Sequence, residues 1–282
     1  MEIATIRERG EEVAVVVDGQ RGVALVRDLI PDFGGDTRDV IEAFDHATLA
    51  GHAAQAPDQV FRAVESVSFT APYRHPRLIW GIGLNFVEHA ADLSELPPEE
   101  PASFVKGDHT IIGPDDEIVL PEQSRRVTAE AELGIVIGKY TRNVSEADAL
   151  DHVWGFVPIL DQTAEDILQV NPRFLTRSKN FPTFFSFGPT ITPVEEVVAP
   201  FGSLDQVLIE TVKNGQIHRS NTVSKMRFSP AFLISFHSKV FPLYPGDIIS
   251  PGTPGAAVIE DGDTVECRIP GVRGLVNTVR RR

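Results

Sequence analysis

Several residue types that particular classes of protein require are scarce in this sequence. It has one cysteine, Cys267, so an intrachain disulfide framework and a cysteine-based metal cluster are both excluded. Lys and Arg number 26 against 40 Asp and Glu, a net charge of −14, and this balance argues against nucleic-acid binding, which requires a basic face. No apolar run approaches the roughly 18 residues of a membrane span, and the charged N-terminus lacks the apolar region of a signal peptide. We therefore expect a cytoplasmic protein with neither nucleic-acid nor membrane partners.

The distribution of apolar segments predicts an α+β, β-rich fold in two parts. Residues 1–28 alternate as two strands around an Asp-Gly turn, and residues 36–68 have apolar residues at helical spacing. The Pro-rich stretch 69–77 is typical of a connector, and many short apolar segments separated by Gly and Pro follow it. We predict a small N-terminal α/β domain over residues 1–70 and a larger β-rich sandwich or roll over residues 71–282.

The stretch TAEAELGIVIGK (128–139) is predicted to form a strand with two acidic side chains on one face. Side chains alternate between the faces of a strand, so Glu130 and Glu132 point the same way. A second apolar strand ends in Asp161, ahead of a short predicted helix. Three carboxylates without a sulfur ligand suit a hard cation such as Mg²⁺, Mn²⁺ or Ca²⁺. Spacing alone leaves two alternatives open, since Glu-x-Glu is commonly a solvated face and an isolated Asp commonly caps a helix.

Other stretches contain side chains suited to catalysis or anion binding. His89 and Asp92 are three residues apart on a predicted helix that begins near Asn85, and a carboxylate beside a His favours general-base chemistry. Arg177 and Lys179 precede an aromatic stretch, where cations hold a substrate carboxylate or stabilise an enolate. Each pattern has an ordinary alternative, a surface His–Asp pair in the first case and solvated bases in the second.

The turn PGTPG (251–255) is a further candidate for contact with a ligand. A rigid Gly/Pro turn offers backbone N–H groups, here at Gly252, and the hydroxyl of Thr253. Turns of this composition are common, so the turn by itself does not identify a site.

The order of these pieces along the chain resembles that of the fumarylacetoacetate hydrolase family. The segments that carry the resemblance are, in order, IWGIGLNFVEHAAD, SFVKGDHTIIGPDDEIVLP, TAEAELGIVIGK, WGFVPILDQTAEDILQ, RSKNFPTFFSFGP, NG, PGDIISPGTPG and GDTVECRIPGVRGLVNTV. They span residues 78–279, and residues 1–70 resemble the small N-terminal domain that many members have. The resemblance implies a mixed β-sandwich or roll for the catalytic domain, and a homodimer.

The resemblance also implies roles for individual residues. The residues expected to bind Mg²⁺, with Mn²⁺ as the alternative, are Glu130, Glu132 and Asp161. The residues expected to be catalytic are His89, Asp92 and Lys179. The residues expected to bind substrate are Asn85, Lys106, Arg177, Gly252 and Thr253.

Two departures from the family pattern accompany the resemblance. Family members more often have Glu where this chain has Asp92, and they often have Arg where DQTAED has Glu165. The second departure predicts a substrate different from that of the commonest bacterial members, with Arg173 or Arg177 supplying the cation instead.

The leading hypothesis for function is hydrolytic cleavage of a C–C bond in a diketo acid, such as an acylpyruvate, a fumarylpyruvate-like acid or a sugar-derived diketo acid. The metal would chelate the 2-oxo acid, the His89–Asp92 pair would take a proton from water, and the bond would break toward a metal-stabilised enolate. The alternative at the same metal site is decarboxylation of oxaloacetate or a related β-keto acid, or isomerisation of a 2-hydroxy-diene-dioate. A third hypothesis is a metal-stabilised binding domain without activity.

Overall fold

The computed structural model describes residues 1–88 and 98–281. The strands in this part of the chain form three β-sheets. The strands of the first sheet are β1 (Glu2–Glu8), β2 (Glu11–Asp18), β3 (Gly22–Leu25), β4 (Phe69–Thr70) and β12 (Thr190–Ile191). Their order is β12-β1-β2-β3, with β4 also paired to β1. The helices of this part of the chain are α1 (Val26–Leu29), α2 (Thr37–Ala43) and α3 (His46–Gln55). Because β12 comes from the later part of the chain, the first sheet is not confined to residues 1–70.

The second sheet is mixed and has eight strands. They are β5 (Ile79–Gly83), β6 (Ala102–Lys106), β7 (Ile111–Ile112), β9 (Val127–Ile137), β10 (Val153–Ala164), β11 (Phe185–Phe187), β15 (Ile248–Ser250) and β16 (Ala256–Ile259). Their order is β6-β5-β15-β9-β10-β11-β7, with β16 also paired to β9. The long strands β9 and β10 are antiparallel and form the centre of the sheet.

The third sheet has five strands in the order β14-β13-β17-β18-β8. They are β8 (Glu117–Leu120), β13 (Leu208–Lys213), β14 (Gln216–Thr222), β17 (Thr264–Arg268) and β18 (Leu275–Arg281). The α-helices that lie wholly within the described part of residues 71–282 are α4 (Glu165–Val170), α5 (Leu175–Lys179), α6 (Val194–Val198) and α7 (Pro230–Val240). No helix in residues 1–88 and 98–281 is long and apolar enough to cross a membrane.

The second sheet is the middle layer, because apolar clusters cover both of its faces. Leu133 and Ile135 of β9 belong to a cluster that includes Val265 of the third sheet. Val136, on the opposite face of β9, belongs to a cluster that includes Ile3 of the first sheet. The predicted β-rich sandwich is therefore confirmed, and every residue of β9 is buried.

The N-terminal part of the chain confirms one local prediction and corrects another. The predicted hairpin is present as β2 and β3, and its turn is closed by Asp18 Oδ1, which accepts from two backbone N–H groups. The helical prediction for residues 36–68 is right for α2 and α3 but wrong beyond Gln55, where the chain forms only two short 3₁₀ turns. The reason is a pair of backbone hydrogen bonds between Arg62 and Val23, because they commit this segment to the edge of β3.

Candidate active site

Three buried carboxylates meet on β9 and β10. Glu130 and Asp161 are direct Cα partners across the two strands, and Glu132 lies two residues further along β9 on the same face. Their ligand atoms all lie within 4.8 Å of one another. Glu132 is 2% exposed and Asp161 is 1% exposed. The predicted strand and shared face are confirmed, and this burial is that of an enclosed site rather than of a solvated face.

Hydroxyl groups fix the orientation of Glu130. Its Oε1 accepts from Thr163 Oγ1 at 2.8 Å and from Thr128 Oγ1 at 3.2 Å. Both threonines point to the same face as the carboxylates because each is two residues from an acid along its strand. Sequence reasoning did not identify them, although the same alternation that paired the two glutamates would have placed them at the site.

The end of β15 and the turn after it hold Glu132. Ser250 Oγ donates to Glu132 Oε2 at 2.5 Å, and the backbone N–H of Gly252 donates to the same oxygen at 2.9 Å. Gly252 has a φ of +106°, which favours glycine, and a Cβ there would lie 3.0 Å from the Cβ of Asn85. The PGTPG turn therefore contacts a predicted metal ligand directly, through a residue that was predicted to bind substrate.

Two lysines from different elements reach the carboxylates. Lys106, the last residue of β6, donates to Asp161 and to a backbone carbonyl oxygen 3.2 Å away. Lys179, the last residue of α5, donates to Glu130 Oε2 at 2.9 Å and to Asp161 Oδ2 at 2.5 Å. We call the three carboxylates and the two lysines together the acid–lysine cluster. Its net charge is 2 − 3 = −1 when every member is ionised. Its members are Glu130, Glu132, Asp161, Lys106 and Lys179.

Burial and neighbouring charge perturb the acid–lysine cluster strongly. Burial raises the pKa of Glu132 to about 8, and the negative charge of Asp161 adds to the effect. Burial lowers the pKa of Lys106 to about 8, although Asp161 partly opposes this. Burial also acts to lower the pKa of Lys179, but the charges of Asp161 and Glu130 outweigh it and leave that pKa raised. Perturbed groups gathered at one buried site are typical of functional sites.

The donor set fits a divalent cation. Three carboxylates converge on one region, and oxygen ligands are those that hard cations prefer. Burial, with the charge of Asp161 beside it, raises the pKa of Glu132 to about 8, so its ionised form is costly there, and a divalent cation would relieve that cost. Glu130, Glu132 and Asp161 are therefore the residues that would hold such an ion.

Metal binding should depend on pH through Glu132. Its folded pKa is raised from 4.5 to about 8, so in the metal-free protein its contribution to stability decreases as pH rises through that window. A cation requires the ionised carboxylate and must displace the proton below about pH 8. We expect Mg²⁺ to raise the melting temperature more at pH 8.5 than at pH 6.5, as measured by differential scanning fluorimetry. Equal increments in wild type at the two pH values would contradict this assignment.

Asn85 connects three segments around the site. Its side-chain amide donates to the carbonyl oxygens of Pro251 at 2.7 Å and Phe228 at 3.0 Å, and its Oδ1 accepts from the Phe228 N–H at 2.8 Å. Both amide hydrogens are thus engaged within the protein. Thr253, also predicted to bind substrate, is buried and exchanges hydrogen bonds with the backbone of Gly255.

The structure places Arg177 and Glu165 away from the carboxylate contacts. Arg177 is exposed and donates to Gln123 at 3.4 Å. Glu165 accepts from Arg126 at 2.5 Å, which neutralises its charge in a local ion pair. Substrate contact by Arg177 stays a prediction, as does the effect of Glu165 on substrate choice. His89 and Asp92, the predicted catalytic pair, lie outside the described residues.

Comparisons with known proteins identify the family of this chain. A family model described as fumarylacetoacetate (FAA) hydrolase C-terminal matches residues 78–280. The mitochondrial oxaloacetate tautomerase fahd2 of Xenopus laevis is 32% identical over 251 residues, which cover 86% of this chain and 77% of that protein. The 4-hydroxyphenylacetate degradation bifunctional isomerase/decarboxylase of Escherichia coli is 37% identical over 211 residues, or 74% of this chain and 48% of that protein.

A solved structure extends the likeness to the whole chain. Maleylpyruvate hydrolase from Sphingobium sp. SYK-6, in complex with manganese(II) ion and pyruvate, is 25% identical with a TM-score of 0.82, and the likeness covers 100% of this chain and 99% of that one. The family model and the relatives confirm the resemblance drawn from the order of the motifs. The chain belongs to the fumarylacetoacetate hydrolase family.

Proposed function

We propose that the protein is a metal-dependent enzyme that cleaves a C–C bond in a diketo acid, such as an acylpyruvate, by hydrolysis. The observation that carries the proposal is the acid–lysine cluster, a buried group of three carboxylates and two lysines on one sheet face. Mg²⁺ is the proposed cation and Mn²⁺ the alternative, because both prefer oxygen ligands. A cation bound there would supply Lewis-acid polarisation of the oxygen atoms of a 2-oxo acid.

The protein's own residues would supply charge, position and a proton acceptor. With a divalent cation, the charge of the fully ionised cluster changes from −1 to +1, which suits one substrate carboxylate. Lys179 and Lys106 are buried donors that would stabilise negative charge developing on a substrate oxygen. Gly252 and Thr253 would position the substrate carboxylate, and His89, oriented by Asp92, would accept a proton from water.

The maleylpyruvate hydrolase supports this proposal, because pyruvate is the product expected from hydrolysis of an acylpyruvate. That structure holds manganese(II) ion and pyruvate together. The oxygen-only carboxylate set described above is compatible with the same metal.

A second function is favoured by other relatives. The Xenopus protein is an oxaloacetate tautomerase, and the Escherichia coli protein is an isomerase/decarboxylase. Tautomerisation, isomerisation and decarboxylation of a 2-oxo acid share with hydrolysis the need to stabilise an enolate, which the lysines would do without a hydrolytic water. The substrate would then be oxaloacetate or a related unsaturated dioate.

Product analysis by NMR separates the two functions. Purified protein with Mg²⁺ is incubated with acetylpyruvate or with oxaloacetate, each with an EDTA control. We expect acetate and pyruvate from acetylpyruvate, and no reaction above the blank with EDTA. Pyruvate from oxaloacetate alone, above a metal-only blank, would favour the decarboxylase, and a changed rate of enol–keto exchange alone would favour the tautomerase. If the protein changes neither the acetylpyruvate spectrum nor the oxaloacetate spectrum, both proposed functions are contradicted. That result is the one expected of a binding domain without activity.

Replacement of His89 by Ala tests the hydrolytic base. We expect hydrolysis to fall by about 10²- to 10⁴-fold, since this is the usual contribution of a general base. Metal-dependent decarboxylation requires no such base and should fall much less. The measurement is kcat for each substrate, with Mg²⁺ affinity as a control that His89→Ala should leave unchanged. Full hydrolytic activity in the variant would remove His89 from the mechanism.

We also propose a homodimer, by analogy with the family, and a cytoplasmic location. Sedimentation equilibrium would show a mass of twice 30.9 kDa if this is right, and 30.9 kDa if the chain is a monomer.

A further inference from the structure

An aromatic ring shares the sheet face of the acid–lysine cluster. Phe104 of β6 is paired with Gly81 of β5, and the side chain of Phe104 points to the same face as Lys106, two residues along. A Cβ added to Gly81 would lie 2.2 Å from Phe104 Cζ. Gly81 therefore allows the ring to lie across β5, where it is only 5% exposed.

The face of this ring contacts the ammonium group of Lys179. Lys179 Nζ lies 4.9 Å from the centre of the Phe104 ring, within the range of a cation–π interaction. Glu130 and Asp161 accept hydrogen bonds from the same ammonium. The Lys179 side chain is 6% exposed, and such desolvation strengthens its attraction to a ring.

The two lysines of the acid–lysine cluster differ in their contact with an aromatic ring. Lys106 Nζ lies 6.0 Å from the centre of the Phe185 ring, at the limit of a cation–π contact. It has a backbone carbonyl oxygen as a second acceptor instead. Lys179 thus depends on carboxylates and on Phe104, whereas Lys106 depends on a carboxylate and a carbonyl.

The difference between the contacts of Lys179 and Lys106 matters when a metal ion binds, an inference that rests on the proposed function. Glu130 and Asp161 would hold the divalent cation, and they are also the acceptors of Lys179. The cation would compete for their oxygen atoms and repel the ammonium. It does not compete for the face of an uncharged ring. We propose that Phe104 is a positioning residue that retains the Lys179 ammonium in the site, beside the substrate, when the carboxylates bind a metal ion.

Ring-current shifts test this placement without turnover. In protein with ¹³C-labelled lysine, Lys179 Hε protons above the Phe104 ring should be shifted upfield both without metal and with saturating Mg²⁺. Lys179→Arg assigns the signal, and Phe104→Leu, which keeps apolar volume without a ring, should remove the shift. An unshifted wild-type signal, or a shift that disappears with Mg²⁺, would overturn the proposal, whatever the turnover.

A fluorination series at position 104 tests the effect on catalysis. Successive fluorine atoms weaken the negative ring face while changing its shape little, so kcat should decline stepwise, by about 10-fold at pentafluorophenylalanine. The same substitutions at Phe187, a buried ring that packs on Tyr73, are the matched control and should leave kcat unchanged. A flat series at position 104 in an active enzyme would overturn the proposal. Failure of the proposed function would appear differently, as an inactive wild type that still shows the ring-current shift.

Discussion

Replacement of Glu132 by Gln is expected to abolish metal-dependent turnover while leaving the fold intact. Glutamine has the same shape, and its one carbonyl oxygen can still accept from Ser250 and Gly252, which share a single oxygen of Glu132. It lacks the negative charge that a cation requires. Changes to groups around a metal ligand typically cost 10- to 100-fold in affinity, so loss of the ligand itself should cost at least about 100-fold in Mg²⁺ affinity and activity.

Thermal unfolding provides the control for that result. In the metal-free protein, the raised pKa keeps Glu132 largely protonated at pH 6.5, so Glu132→Gln should have a melting temperature close to wild type there. Above about pH 8, wild type has a buried negative charge that the variant lacks, and the variant should be the more stable. Glu122→Gln, at an exposed glutamate, should match wild type in activity and stability. Full activity in Glu132→Gln would show that the proposed site is wrong.

The second large effect is expected from Lys179→Met. Lys179 forms ion pairs with two buried carboxylates, Glu130 and Asp161. Its replacement by Met removes the positive charge that both carboxylates share. Loss of one member of a buried ion pair typically costs about 3–5 kcal/mol. We therefore expect the free energy of unfolding, measured in urea without metal, to fall by about this amount, and turnover to be lost. Saturating Mg²⁺ should restore part of the stability, because a cation neutralises the same carboxylates.

Arg177→Met is the matched control for Lys179→Met. It removes a cation from the same helix, but Arg177 is exposed and its change should alter stability by less than about 0.5 kcal/mol. If Arg177 binds substrate as predicted, its replacement should raise KM. Equal destabilisation by the two variants would contradict the role given to Lys179.

The positions of the carboxylates show how much local sequence rules can supply. Alternation along one strand is enough to place Glu130 and Glu132 on one face, and the structure agrees. The same rules cannot place Asp161 opposite Glu130, because the register between β9 and β10 joins residues far apart in the sequence. Ligand chemistry favoured grouping Asp161 with the two glutamates, and the resemblance to a family implied it, but neither supplies the register.

The lysine and hydroxyl contacts of the carboxylates could not be predicted from local sequence, because they join distant parts of the chain. Lys106 comes to Asp161 from β6, which β5, β15 and β9 separate from β10 in the strand order, and no periodicity encodes that approach. Ser250 reaches Glu132 because β15 pairs with β9, again a long-range contact. The failed helix prediction beyond Gln55 has the same origin, since Arg62 pairs with Val23 and a tertiary contact overrides local propensity.

The most direct test of the central claim is a titration with Mn²⁺ followed by electron paramagnetic resonance, which measures the free ion. We expect one bound Mn²⁺ per wild-type chain, displaced by Mg²⁺, and binding weakened by at least about 100-fold in Glu132→Gln. Equal binding by wild type and Glu132→Gln, or none by either, would contradict the assignment of Glu130, Glu132 and Asp161 as the metal site.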